Sequence, residues 1–258
     1  MKRECAEAAT EEGSNRFGTT RWSVIITSAR AGDNSERVSE ALAQLCRIYW
    51  RPIFAFVCCR GYSFTDAQDL TQDFFVTLLD GRLLQIADPE RGRFRSLLLK
   101  ALQNFLIDAR QRRQAKKRGG AVQFVSWDDW MSEAPSHLSL SKRALDQSSP
   151  ERLFDIRWAA TVVEQAMARL REECEARGRR RVFDALSGCL VAERGDVLYD
   201  DCAATLGIPE ATVKRLLHHL RLRYRTLLRA EVARTVESEA ELEDEIRYLC
   251  KALVAGSE

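Results

Sequence analysis

Residues 198–228 read LYDDCAATLGIPEATVKRLLHHLRLRYRTLL. A short helical stretch meets a glycine and a proline, and a longer helical stretch follows. This is the pattern of a helix-turn-helix. Asp200 or Asp201 is placed to cap the first helix. Ala203 is small enough for a close helix crossing, and Gly207 permits the left-handed backbone that the turn needs. Pro209 presets φ for the first turn of the second helix. Val213, Leu216, Leu217, Leu220 and Tyr224 recur at helical spacing and bury one face. Lys214, Arg215, His218, Arg221 and Arg225 line the opposite face. The leading end of such a helix, here Pro209, Glu210 and Thr212, enters a major groove, while Arg221 and Arg225 further along hold phosphates.

A second cationic helix lies about a hundred residues upstream, in FRSLLLKALQNFLIDARQRRQAKKRGG, 94–120. Leu98, Ala101, Leu102, Phe105 and Ala109 make one apolar stripe. Lys100, Gln103, Asn104, Gln111 and Gln114 fall opposite, and the helix runs into arginine and lysine. Amides hydrogen-bond base edges, and cations neutralise phosphates and release their counterions. A merely solvated face would carry more glutamate. The pairing of amides with cations therefore points to nucleic acid.

Charge is distributed in blocks although the net charge is only +2. Residues 91–118 hold ten basic side chains against Asp108 alone. Residues 212–234 hold seven against Glu231 alone, and 235–258 hold seven acids against Arg247 and Lys251. Two basic blocks and an acidic tail imply a polyanion touched in two places. The stretch FTDAQDLTQDFFVTLLDG, 64–81, is different. Ala67, Leu70, Phe74 and Leu78 form its core stripe, and Asp66, Asp69 and Asp73 share another face. Asp66 and Asp69 suit a helix start through the macrodipole. An acidic strip repels a DNA backbone, so it reads as a docking surface for a basic protein.

Proline and glycine are scarce and β-branched alternation is almost absent, so the chain is expected to be all-α. The boundaries read as a disordered N-terminus over 1–18, a helical domain over 19–118 and a flexible linker over 119–152. A second helical domain with the helix-turn-helix covers 153–234, and a C-terminal helical extension covers 235–258. In the extension Leu242, Ile246, Leu249 and Leu253 share a face. It is expected to pack on the second domain or to mask a basic surface. No apolar run reaches the roughly 18–20 residues of a membrane helix, and MKRECAEAATEEGSN lacks the apolar core of a secretory signal. A cytoplasmic protein is expected. The eight cysteines form no CxxC pair, and His218–His219 has no metal-ligand companion. Reduced thiols acting as small apolar residues are the expectation, with no metal and no cofactor.

These residues resemble the extracytoplasmic-function class of bacterial sigma factors, two-domain subunits that recruit RNA polymerase to promoters. The DAQDLTQDFF stretch is similar to the family's polymerase-docking helix, with Asp66, Asp69, Leu70, Gln72, Asp73 and Phe75 in matching places and Gln68 where an acid is usual. The 94–113 stretch looks like the segment that reads and melts the −10 promoter box. Phe94, Arg95, Asn104, Asp108 and Arg112 match, and Leu97 stands where an aromatic is frequent. ADPERGRF, 87–94, corresponds to the loop that captures a flipped base, which is easiest once the base is unpaired. The resemblance assigns −10 recognition and melting to Arg91, Arg93, Arg95, Lys100, Gln103, Asn104, Gln111, Arg112, Arg113, Lys116, Lys117 and Arg118. GIPEATVKRLLHHLR is similar to the −35 reader, which implies that role for Pro209, Glu210, Thr212, Lys214, Arg215, His218, Arg221 and Arg225. Arg215 takes a place where serine is common. TTRWSVIITSAR, KKRGG and the helical tail look like a planctomycete-type subgroup.

The expected function is non-enzymatic: binding of core RNA polymerase and promoter DNA, recognition of the promoter and opening of the strands. The linker acids Asp128, Asp129 and Glu133 would mimic nucleic-acid charge near the polymerase channel. Opening duplex costs about 1.4 kcal/mol of stacking per step, so the isolated chain is expected to bind promoters weakly. An anti-sigma factor or a kinase is a further partner this class leaves room for, and no membrane or small-molecule substrate is implied. The rival within DNA binding is a stand-alone helix-turn-helix regulator, dimeric on a palindrome. The rival from another class is a magnesium enzyme using Asp66, Asp69 and Asp73, or Asp128 and Asp129.

Overall fold

The computed structural model describes residues 36–79, 94–116, 148–190, 198–236 and 239–257. Among them every regular element is helical and no strand occurs, so the all-α expectation holds. The first helix, α1, spans Glu36–Cys59 and carries Pro52 inside it. It ends because Gly61 adopts φ 83°, which an L side chain resists, and donates its N–H to the Cys58 carbonyl. Ser63 then starts α2, Phe64–Leu79, its hydroxyl accepting from the Asp66 N–H. The third helix, α3, spans Phe94–Lys116. The predicted stripe Leu98, Ala101, Leu102 and Ala109 is buried, together with Leu106. Phe105 is half-buried edge-on to Phe74 of α2, the ring centroids 5.5 Å apart.

The helix α4, Pro150–Ala176, occupies the centre. Ser149 caps it by accepting from the Arg152 N–H, and Pro150 fills the first turn, where a missing donor costs nothing. Its residues 156–163 are buried on all sides because α1 packs on one flank and two later helices pack on others. A helix enclosed in this way shows a weak polar face, which is why its periodicity is hard to read. The short helix α5, Arg180–Leu186, and a 3₁₀ turn, Ser187–Cys189, follow.

The helix-turn-helix is α6, Tyr199–Leu206, and α7, Glu210–Ala233. Gly207 takes φ 67° and donates to the Ala203 carbonyl, the turn conformation expected of it. Two local expectations are corrected. Leu198, not an aspartate, is the N-cap of α6; Asp200 and Asp201 lie in its first turn, where their charge suits the helix dipole. Pro209 is the N-cap of α7 with extended backbone rather than its first helical residue. The core face is as expected at Val213, Leu217 and Tyr224, with Leu227 added and Leu216 and Leu220 half-buried. The tail forms α8, Glu239–Ser257, which packs on α4 and α7 through buried Leu242 and Leu249 and half-buried Ile246 and Leu253.

One continuous apolar core joins these elements, from Ile48 and Phe56 of α1 through Phe154 and Trp158 of α4 to Leu217 of α7 and Leu249 of α8. The expected linker 119–152 and the N-terminus 1–18 lie outside the described residues, apart from 148–152 at the start of α4.

Candidate nucleic-acid and partner interfaces

On α7 the exposed cationic strip consists of Lys214, Arg215, His218 and Arg225. Helical spacing puts Arg215 opposite Val213, Leu217 and Tyr224, which anchor the helix to the core, with Lys214, His218 and Arg225 on the flank between. Glu210 pairs with Lys214 one turn along, and this hydrogen bond raises the lysine pKa. The Lys214 ammonium also lies over the Tyr199 ring, 5.1 Å from its centroid, tying α7 to α6. Pro209 and Thr212 sit at the leading end with Glu210. Arg221 behaves differently from the expectation. It is half-buried and donates to the Cys189 carbonyl at 2.7 Å, bracing α7 against the turn that follows α5. Cys189 and Cys202 flank that brace, their sulfurs 3.9 Å apart, and burial raises the Cys189 pKa.

On α3 the outward face presents Lys100, Asn104, Gln111 and Arg112. Gln103 is half-buried, and its amide donates to Glu151 of α4 at 3.1 Å. The same carboxylate accepts from Arg60 at 2.8 Å. Arg113 and Lys116 lie on the last turns of α3; Arg91, Arg93, Lys117 and Arg118 lie outside the described residues, as do Asp128, Asp129 and Glu133.

Arg95 lies at the start of α3 and is enclosed by later helices. It is 6% exposed, although it was expected on a DNA-reading face. Its guanidinium pairs with Asp155 of α4 and, at 3.2 Å, with Glu245 of α8. It lies over the rings of Trp158 and Tyr248, 4.8 and 4.2 Å from their centroids. The Tyr248 hydroxyl donates to Asp155 in turn. Burial opposes the arginine charge, yet the Glu245 and Asp155 carboxylates outweigh burial and hold its pKa above the ordinary value. Burial and the bond to Asp155 likewise push the Tyr248 phenol up. None of these four partners was singled out from sequence. Asp155 and Glu245 lie 60 and 150 residues from Arg95, so no local spacing connects them.

On α2 the exposed residues include Asp69, Gln72 and Asp73, with Val76 beside them at 59% exposure. Asp66 is half-buried at the helix start, where its N–H is capped by Ser63. Leu70 and Phe75 are buried, Phe75 stacked on Trp50 of α1 at 5.7 Å. These two side chains hold α2 in place, while the acid-and-amide strip faces outward. Among the described residues no group of three acidic, histidine or cysteine side chains could hold a metal ion, and no helix is long and apolar enough to cross a membrane.

Residues 63–230 match the family model described as ECF sigma factor. No curated protein and no solved structure matches the chain.

Proposed function

The chain belongs to the ECF sigma factor family, and from that premise we propose how its surfaces divide the work. A member of this family directs promoter-specific transcription initiation together with RNA polymerase. In this chain the Asp69–Gln72–Asp73 strip of α2 docks on basic surface of the core enzyme. The leading half of α7 reads the −35 box in duplex form, with Lys214, Arg215 and His218 outward. The outer face of α3, with the basic segment after it, reads the −10 box and holds it open. The chain acts without catalytic turnover of its own, in the cytoplasm, and an anti-sigma factor or a kinase is its natural regulator. TTRWSVIITSAR, KKRGG and the tail favour a planctomycete-type subgroup.

A single observation carries this reading. One chain exposes an acidic strip on α2 and cationic strips on α3 and α7, on separate helices. A protein that only bound duplex would gain nothing from exposing carboxylates, because they repel phosphate. Carboxylates that meet a basic protein surface speed and orient its docking instead.

Run-off transcription with bacterial core polymerase tests it, using a randomised promoter library. Asp69→Lys/Asp73→Lys is expected to weaken association with core polymerase about tenfold or more while leaving helical content unchanged. Unaltered association would remove the docking assignment. Gel shifts with and without core polymerase separate this function from a stand-alone regulator. Binding to promoter DNA that needs no polymerase would favour the regulator.

A further inference from the structure

The Arg95 cluster joins three parts that the sequence keeps apart: the start of α3, the start of α4 and the acidic tail helix α8. Two carboxylates pair with one guanidinium, and two aromatic rings lie against it. Glu245 is 1% exposed and Arg95 6%. Both charges have therefore left water to meet each other. Such pairs stay close to break-even against desolvation, yet breaking one side is costly while the other remains buried. The contact is thus strong in register and small in net free energy. A competitor that opened the site to water, or offered phosphate to the arginine, could displace it.

The adhesion of α8 itself comes from elsewhere. Leu242 and Leu249 are buried against α4 and α7, and the Arg229–Glu243 pair adds a second tie to α7. The apolar stripe fixes the tail on the helix-turn-helix half, and the polar edge of the same helix reaches across to α3.

We propose that α8 is a built-in clamp: through Glu245 and Tyr248, with Asp155, it holds Arg95 in a closed arrangement in which the start of α3 is withheld from promoter DNA until polymerase binding frees it. This rests on the reading of α3 as a DNA-facing helix. The binding-competent form is then a minor population, and apparent affinity for polymerase is reduced by that fraction. Weakening the clamp without touching any DNA or polymerase contact raises the fraction.

The test uses the full chain in three forms: unaltered, Glu245→Gln/Tyr248→Phe, and Glu239→Gln as a control on the exposed first turn of α8. Circular dichroism checks folding, since both changes in the double variant are nearly isosteric. Core polymerase affinity is measured by titration, and amide hydrogen exchange is followed over residues 94–106 and 210–224. The double variant is expected to bind core polymerase about tenfold more tightly, within the usual range of coupling between sites. Exchange in 94–106 should rise by a similar factor while 210–224 stays unchanged. Unchanged exchange in 94–106 overturns the clamp whatever the affinity does, and so does an equal effect from Glu239→Gln, which would mean a general charge effect. If no form binds core polymerase, the docking reading fails, and the exchange data still decide the clamp by themselves.

Discussion

At the scale of single residues, backbone conformation and burial settle roles that residue type leaves open. Gly207 carries φ 67°, and a Cβ built there meets nothing within 4 Å. Gly188 also has open space around a Cβ but no positive φ. The two glycines therefore separate backbone strain from crowding. Gly207→Ala is expected to cost about 1–2 kcal/mol from the left-handed conformation alone, while Gly188→Ala stays within about 0.5 kcal/mol of neutral. Urea unfolding with the midpoint and slope compared checks both, and equal costs at the two positions would refute the strain argument. Arg95 and Arg221 teach the complementary lesson. Both are cations that a motif assigns to DNA, but one is enclosed by Asp155, Glu245, Trp158 and Tyr248 and the other braces the Cys189 carbonyl. Their side-chain chemistry matches the motif; their surroundings are long-range, and no spacing announces them.

Elements were more legible than residues, because a helix writes its period into consecutive positions. The stripes of α3, α7 and α8 came out as expected wherever one face meets the core and the other meets water. The exception is informative. Central α4 is covered by α1, α7 and α8, so its apolar residues lie on every side and its pattern loses the amphipathic signature. On α2 Asp69 and Asp73 of the acidic strip face outward and Asp66 is half-buried, while Leu70 and Phe75 point into the core. A motif records which residues occur together, not which of them reach a partner. For α7 the exposed cations lead to an expectation about ionic strength. In the polymerase complex, Arg215→Gln should weaken promoter binding and reduce the slope of log affinity against log salt by about one, the effect of one lost phosphate contact. A change in sequence preference at constant slope would instead mean that Arg215 reads a base.

At the scale of the whole molecule, the two halves share one core. Tyr49 and Phe56 of α1 meet Phe154 of α4, and the same helix receives α7 and α8. Ion pairs repeat the connection, with Arg51 meeting Glu164 at 2.7 Å and Arg60 meeting Glu151 at 2.8 Å. Trp158 is fully buried at the centre of this arrangement. Trp158→Ala is expected to cost about 3–5 kcal/mol and to lower the stability of both halves together. A single unfolding transition, coincident by circular dichroism and by exchange at 45–57 and 213–227, is the expected form. Two separated transitions would show that the halves fold independently and that their contact is incidental.

The sequence by itself determined the helical class, the helix-turn-helix with its glycine turn, and the division of the chain into cationic and acidic faces. Each of these depends on residues within a few turns of one another, where hydrogen-bond geometry and the helical period leave little choice. Only the tertiary structure decided that Arg95 is buried, that Arg221 is a brace, and that the acidic tail touches both halves. Those facts depend on which of many similar apolar faces pack together. The hydrophobic effect rewards area buried rather than a particular partner, so the choice rests on shape and on pairs of charges far apart in the chain.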